Sequence, residues 1–406
     1  MLREGEDLRR IQRVPEVIPS EFRYWQHLEQ PRVRAARKIL RAVLGFDPAP
    51  DDEIVRAFAA MYYDADPLCE AFVDAAGRDY RALLERALAG DLAPLPALRA
   101  LFDDLDNDPP WLDWQLVERG ARAFRRYGTA MFRFAGSITL EGYSESSVAK
   151  PLALTGAYAG SSTRHRFLET VAFWIAVSEP GALRPGAAGR ASALRVRVMH
   201  VFVRRKLAAH AAWDAAAWGV PISQADAMLT LMGGSFIPGL ALGLLGYVPS
   251  RKDILAMMHF WRYVGHLMGV RPRWYPTTLS ETAQLSFVTL VKAARTSGDD
   301  GRALRQAYVR AFADAGRLED GIHRGFARLF VSPRTYRESE LPPAGAWPLL
   351  VLAQAPLVAA TELARRIVPG IDVLVDRVAR TRRARWFQRH MGDRKAEYRP
   401  AERFTR

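Results

Sequence analysis

Three polar side chains on otherwise apolar helical stretches carry the first chemical signal: Arg166, Thr170 and His200. Arg166 and Thr170 are four residues apart in RHRFLETVAFWIAV, so both lie on one face of the helix that this spacing predicts. A Pro/Gly-rich turn follows, then GRASALRVRVMHVFVRRKLAAH, a second predicted helix on which His200 shares a side with Val196, Val203 and Leu207. Burying such groups alone costs stability, so each needs a partner. For His200 two readings stand side by side: a core histidine satisfied by a neighbour, or a single neutral imidazole serving as axial ligand to a haem. Arg197 and Arg204, one turn before and one turn after it, are either solvated face residues or partners for carboxylates such as haem propionates.

The elements that must position these groups read as helices throughout. RKDILAMMHFWRYVGHLMGV repeats its apolar residues at three and four, and SETAQLSFVTLVKAAR and GRALRQAYVRAFADAGRLEDGIHRGFARLF do the same. Asp113 is placed to cap a helix with Leu116, Ala121, Phe124 and Tyr127 along one side. SESSVAKPLALTGAYAGSSTRHRF reads as a small-residue connector into the Arg166 helix. No alternating run demands a strand and no fixed-period repeat is present, so the expectation is an all-α chain of a dozen or more helices.

Of the 406 residues, 49% are hydrophobic and 25% charged, ample material for a core. The formal charge is +14, and residues 377–406 supply +8 of it, from eleven Arg/Lys against three Asp/Glu. That tail reads as a solvated, partly disordered end or as a segment attracted to anionic lipid headgroups. Cys69 is the sole cysteine, which excludes an intramolecular disulfide and thiolate-rich metal sites. The N-terminal stretch has no apolar leader, and the expectation is a cytoplasmic protein. Residues 227–250 are long enough to span a bilayer, but Gly233-Gly234 and Pro238 divide them into two expected core helices. Residues 344–361, interrupted by Pro348 and Pro356, suit a packed or membrane-surface helix.

Common catalytic signatures are missing: no phosphate loop, dinucleotide fingerprint, GxSxG or HExxH is present. His259 and His266 have no carboxylate at ligand spacing, and Glu319 and His323 read as an exposed i,i+4 helix pair or a cap. No nucleic-acid-binding module is found, so no nucleic acid partner is expected. From the residues alone, a non-catalytic helical protein docking on a membrane or partner through its C-terminal third stands as the rival to an enzyme.

The order of several short motifs resembles the MpaB-type oxygenase family, to which the latex-clearing rubber oxygenases belong. The matching pieces are Trp111-Leu112-Asp113-Trp114, Arg125-Arg126-Tyr127-Gly128, Arg166-x-x-x-Thr170, Leu194-Arg195-Val196-Arg197-Val198-Met199-His200, Trp218-Gly219-Val220-Pro221-Ile222-Ser223-Gln224 and Trp261 to Val270, across roughly residues 105–275. The resemblance implies a globin-like all-α core holding haem b, with His200 as iron ligand and Arg166 and Thr170 on the distal side where O2 binds. It implies oxidative cleavage of an isoprenoid carbon–carbon double bond, as a dioxygenase rather than a monooxygenase, with an apolar small molecule, polyprenyl chain or unsaturated lipid as substrate. It also implies three segments in one compact unit: a helical extension over 1–104, a haem-binding core over 105–340, and an apolar helix with a basic tail over 341–406. One departure stands out. Latex-clearing members carry a Lys just before the distal Thr, where this chain has Glu169, a group that could pair with Arg166, act as a base or point outward.

Overall fold

The computed structural model describes residues 17–156 and 162–392. Among these, twenty-two α-helices, numbered α1 to α22 in chain order, are joined by short turns, and no strand is present. The centre of the fold is the pairing of α7 (Trp114–Arg126) with α15 (Arg251–Leu267). Both starts are locally encoded. Asp113 accepts hydrogen bonds from the Gln115 and Leu116 amides, and Ser250 with Asp253 forms a capping box. The buried side of α7 is Val117, Gly120, Ala121 and Phe124; Leu116, expected on that side, is 37% exposed because it falls one position off the stripe facing α15.

Gly120 sets how closely the two helices approach. A methyl group at this position would overlap the Ala256 carbonyl and the Phe260 Cβ, and a turn further on Phe124 meets Trp261 edge-on at 5.2 Å. Replacing Gly120 by valine is expected to wedge α7 from α15 and cost about 1–3 kcal/mol, read as a lowered urea midpoint with an unchanged slope.

Around this pair the N-terminal helices share a core with distant segments. Phe22, Tyr24 and Phe58 pack with Met228 of α13 (Gln224–Gly233) and Leu285 and Val288 of α16 (Leu279–Lys292). The apolar run after Ser223 forms α13, α14 (Phe236–Ala241) and a 3-10 turn, mostly buried, as its Gly and Pro breaks predict.

Two stretches differ from the sequence expectation. The small-residue connector contains a further helix, α9 (Ser146–Leu154), which buries Ser146, Ala149 and Leu154 and carries Pro151 within it. The basic segment is not a solvated end as far as residue 392. It forms α22 (Ile371–Met391), which buries Ala379, Arg383, Trp386 and Met391 against the core. Arg125 anchors this helix through Asp376 at 2.7 and 3.1 Å and also donates to the Ser178 carbonyl. The last fourteen positions of the tail, 393–406, lie outside the described residues, as does the segment 1–16.

Candidate functional site

The Arg166 and His200 helices form a hairpin. α10 (Ser162–Ser178) and α11 (Ala188–Ala208) pack together, and the connection between them turns at Gly181 and Gly186, both with positive φ. Arg166 precedes the end of α10 by twelve residues and His200 follows the start of α11 by twelve. At ~1.5 Å per residue both sit roughly 18 Å from the turn, at one level of the hairpin. Thr170 lies one turn nearer the connection.

On α10, the Arg166 Nη1 donates to Glu169 Oε2 at 2.8 Å, and His165 Nε2 lies 3.6 Å from the other carboxylate oxygen. Of the three expectations for Glu169, the structure shows the pairing with Arg166, with Glu169 itself buried. Thr170 is exposed and its hydroxyl donates to the Arg166 carbonyl at 3.3 Å.

On α11, His200 is half-buried and has no hydrogen-bond partner among the described residues. Burial pushes its pKa down to about 4, the positive charge of Arg204 pushes the same way, and Asp66 opposes. At neutral pH the ring is therefore uncharged, with a nitrogen lone pair that no donor among the described residues occupies.

Arg197 and Arg204 are not solvated face residues. Arg197, 1% exposed, donates to both oxygens of Asp66, at 2.7 and 2.9 Å. Arg204 bonds Glu70 at 3.0 Å and the Pro221 and Ile222 carbonyls at 3.1 and 2.9 Å. Asp66 also caps α4 (Pro67–Ala76) by accepting from the Cys69 amide. Two ion pairs thus clamp the His200 stretch of α11 to α4. A propionate would have to share these guanidinium groups with carboxylates the protein already supplies.

The clamp extends to the other motifs. Gln224 donates to the Ala65 and Gly269 carbonyls and accepts from the Arg271 amide at 2.7 Å, which joins the start of α13 to the end of α15. Gly269 has φ +77, and any Cβ there would collide with Asp66 and Arg197, so this turn of α15 closes over the ion pair only with glycine. Nothing in the sequence marks Asp66 and Glu70 as site-supporting residues, and Gln224 figures there only as the last residue of the Trp218–Gln224 motif. Asp66-Pro67 carries a helix-start signal, but nothing local points to an arginine 131 residues away.

His259 and His266 serve the fold. His259 Nε2 accepts from the Asp113 amide at 3.0 Å, and His266 stacks on Tyr263, its pKa lowered to about 3 by burial with Arg271, Arg197 and Arg190 adding to it. Among the described residues no group of three or more His, Cys, Asp or Glu is arranged to hold a metal ion. A single histidine such as His200 meets the protein's part in holding haem iron and is unsuited to a bare metal ion.

The Glu319–His323 pair is not exposed, which corrects the sequence reading. On α18 (Arg317–Phe330), His323 Nε2 lies 3.1 Å from Glu319 Oε1, and that carboxylate also takes Arg133 at 2.8 Å and the Trp386 indole N–H at 3.0 Å. Phe312 stacks on the His323 ring, and His390 Nε2 is 3.9 Å from Glu319. An i,i+4 spacing is the same on an exposed or a buried face; here α8 (Gly128–Gly142) and α22 cover it. Burial raises the Glu319 pKa, but His323, Arg133 and Trp386 overcome it and hold the carboxyl well below its usual range. Burial lowers His323 to about 4.

Both shifts act in the same direction on stability. The unfolded chain protonates His323 near pH 6.5 while the folded chain resists to about pH 4, so the unfolded state binds more protons across that window. Lowering pH from 7.5 to 5 is expected to cost about 2 kcal/mol through this residue alone. His323→Gln should flatten the pH dependence of the urea midpoint between pH 6.5 and 4, and an unchanged slope would remove His323 as a source.

The described residues thus form an all-α scaffold with an uncharged His200 that has no hydrogen-bond partner among them, on the helix next to the one that carries Arg166 and Thr170. The chain belongs to the family described as ER-bound oxygenase mpaB/B'/Rubber oxygenase, catalytic domain, which it matches over residues 125–366. The matched stretch contains Arg166, Glu169, Thr170, Arg197, His200 and Arg204. The chain is 25% identical over 271 residues to the rubber oxygenase of Streptomyces sp. (strain K30), across 64% of this chain and 65% of that protein. Its fold is similar to that of latex clearing protein in the closed state, with a TM-score of 0.57 at 20% identity, covering 80% of this chain and 91% of the other. That likeness is one of all-α fold.

Proposed function

We propose that this protein is a haem b-dependent oxygenase that uses O2 to cleave a carbon–carbon double bond of an apolar, isoprenoid-like or unsaturated substrate. The observation that carries the reading is His200: a neutral imidazole without a hydrogen-bond partner among the described residues, on a helix held in place by one buried and one partly buried ion pair. Membership of an oxygenase family and similarity to a protein named rubber oxygenase support the class of reaction and substrate.

Haem b, when bound, supplies the oxygen-activating chemistry. The protein's own contributions follow from its side chains. His200 would hold the cofactor through its ring nitrogen. Arg197 and Arg204 act through His200, since their pairs with Asp66 and Glu70 fix the rotation of α11 and so the direction of the ring. Arg166 presents positive charge at the same level of the hairpin, with Glu169 holding the guanidinium in place. Thr170 offers an exposed hydroxyl one turn away, which can turn from the Arg166 carbonyl toward a bound ligand. Glu169 in place of the family lysine removes an amine that could compete for the cofactor and leaves a carboxylate paired with Arg166 in its stead.

The test is spectroscopic and then chemical. Protein produced with haem supplied should show a Soret band at one haem per chain. Incubation with prenylated lipids under ¹⁸O2 should give carbonyl cleavage products with label on both new carbonyls, as a dioxygenase requires. Colourless protein that takes up no haem would sink the proposal, and label on one carbonyl alone would make the enzyme a monooxygenase.

A further inference from the structure

A soluble helix normally turns its apolar side inward, and α21 (Ala355–Ile367) does the reverse. Its inward side carries Glu362 and Arg365, both nearly buried. They pair with each other at 2.7 Å, and Arg365 reaches Asp253 at 3.6 Å and Asp372 at 3.8 Å. Its outward side carries Leu357, Leu363 and Ile367, exposed by 74%, 58% and 68%. At ~100° per residue they spread over an arc of about 120° on the side away from Glu362 and Arg365. The preceding α20 (Trp347–Leu352) adds Leu349 and Leu350, exposed by 70% and 59%.

The surface continues beyond these two helices. The turn at Gly246 packs so closely on α21 that a side chain there would strike the Ala355 carbonyl, which brings exposed Leu244 and Val248 alongside. After the turn at Gly370, α22 opens with exposed Val373 and Leu374. Exposed apolar patches of this extent mark an interaction site.

Charge says what covers it. Immediately past the apolar opening of α22 come Arg377, Arg382, Arg385 and Arg389, all exposed and without an ion pair among the described residues. Arg251 and Lys252 stand exposed beyond Val248 in the same way. An apolar face edged by unpaired cations, on a chain of net charge +14, is complementary to a surface that is apolar inside and anionic outside.

We infer that α20, α21 and the start of α22 form a docking face for an anionic lipid bilayer, on which the protein lies without crossing. Length and composition would allow Trp347–Ile367 to span, and only 11% of its most apolar stretch is buried. The attachments rule against spanning. Trp347 is wedged onto α18 where Gly321 and Gly325 leave no room for side chains, and Glu362 and Arg365 hold α21 to the core. The leucines therefore enter the acyl boundary from the side while the arginines stay at headgroup level. This inference does not depend on the haem reading, because its test needs no cofactor.

Flotation of the full-length protein with vesicles tests it. Wild-type protein is expected to float with phosphatidylglycerol/phosphatidylcholine vesicles and to bind phosphatidylcholine alone much more weakly. Leu357→Glu/Leu363→Glu should lower partitioning by about tenfold or more. Arg377→Gln/Arg382→Gln, which touches no packing, should lower it by about fivefold per arginine on anionic vesicles only, as should high salt. Circular dichroism and a melting curve identify a variant that fails to fold; Leu349→Ser/Leu350→Ser then takes the place of the first pair. Wild-type protein that stays unbound, or a folded Leu357→Glu/Leu363→Glu variant that binds as wild type, overturns the proposal. A wild-type dimer that this variant converts to a monomer, with no vesicle binding by either, also overturns it and assigns the face to a second copy of the chain.

Discussion

His200→Ala should leave a folded protein that no longer retains haem, with the Soret band lost and affinity reduced by about a hundredfold or more. Changes in residues that merely orient a metal ligand commonly cost ~10–100-fold, and removal of the ligand itself should exceed that. The ring is half-buried and makes no hydrogen bond among the described residues, so its loss removes little that holds α11 in place. The clamp on either side, Arg197 with Asp66 and Arg204 with Glu70, remains intact in the variant. His200→Cys provides the companion measurement: a thiolate ligand should restore binding with a displaced Soret band, which a purely structural histidine would not do. A His200→Ala protein with unaltered haem content and spectrum would show that another group holds the iron.

The second large effect is on stability. Asp66→Ala strands a guanidinium that is 1% exposed, and breaking a buried pair from one side costs about 3–5 kcal/mol. It also removes the cap of α4, worth about 1 kcal/mol in its own right, though the two losses share one carboxylate and need not add. Equilibrium urea unfolding should show the midpoint falling steeply. Asp66→Ala/Arg197→Met should recover a large part of the loss, because no uncompensated charge then remains inside. Haem uptake offers a second readout. If the clamp aims His200, Asp66→Ala should weaken haem binding more than Glu319→Gln, a change in a distant buried cluster. A midpoint within experimental error of wild type would mean that water or Asp104, 3.8 Å from Arg197, takes over the pairing.

Local rules carried much of this protein. Helix starts at Asp113, Ser223 and Ser250 follow from side chains that reach back to amides two or three residues on. The common face of Arg166 and Thr170 follows from helical spacing alone, and so does the Arg166–Glu169 pair. The ordered motifs around His200 were enough to point to the oxygenase family. The sequence by itself therefore determined that helices form, where many begin, and which residues share a side.

Which side faces inward was decided by the tertiary structure. Arg197 could have met solvent or a cofactor until α4 brought Asp66 to it across 131 residues. Glu319 and His323 have the spacing of a surface pair, and only Arg133 on α8 and Trp386 on α22 make them a buried cluster. The pattern of α21 fixes two faces of opposite character, but Asp253 and Asp372 determine that its charged face turns inward and its leucines outward. The physical reason is common to all three. Hydrogen bonds within a turn depend on neighbours a few residues away, whereas a buried charge is stable only beside a counter-charge that another element delivers.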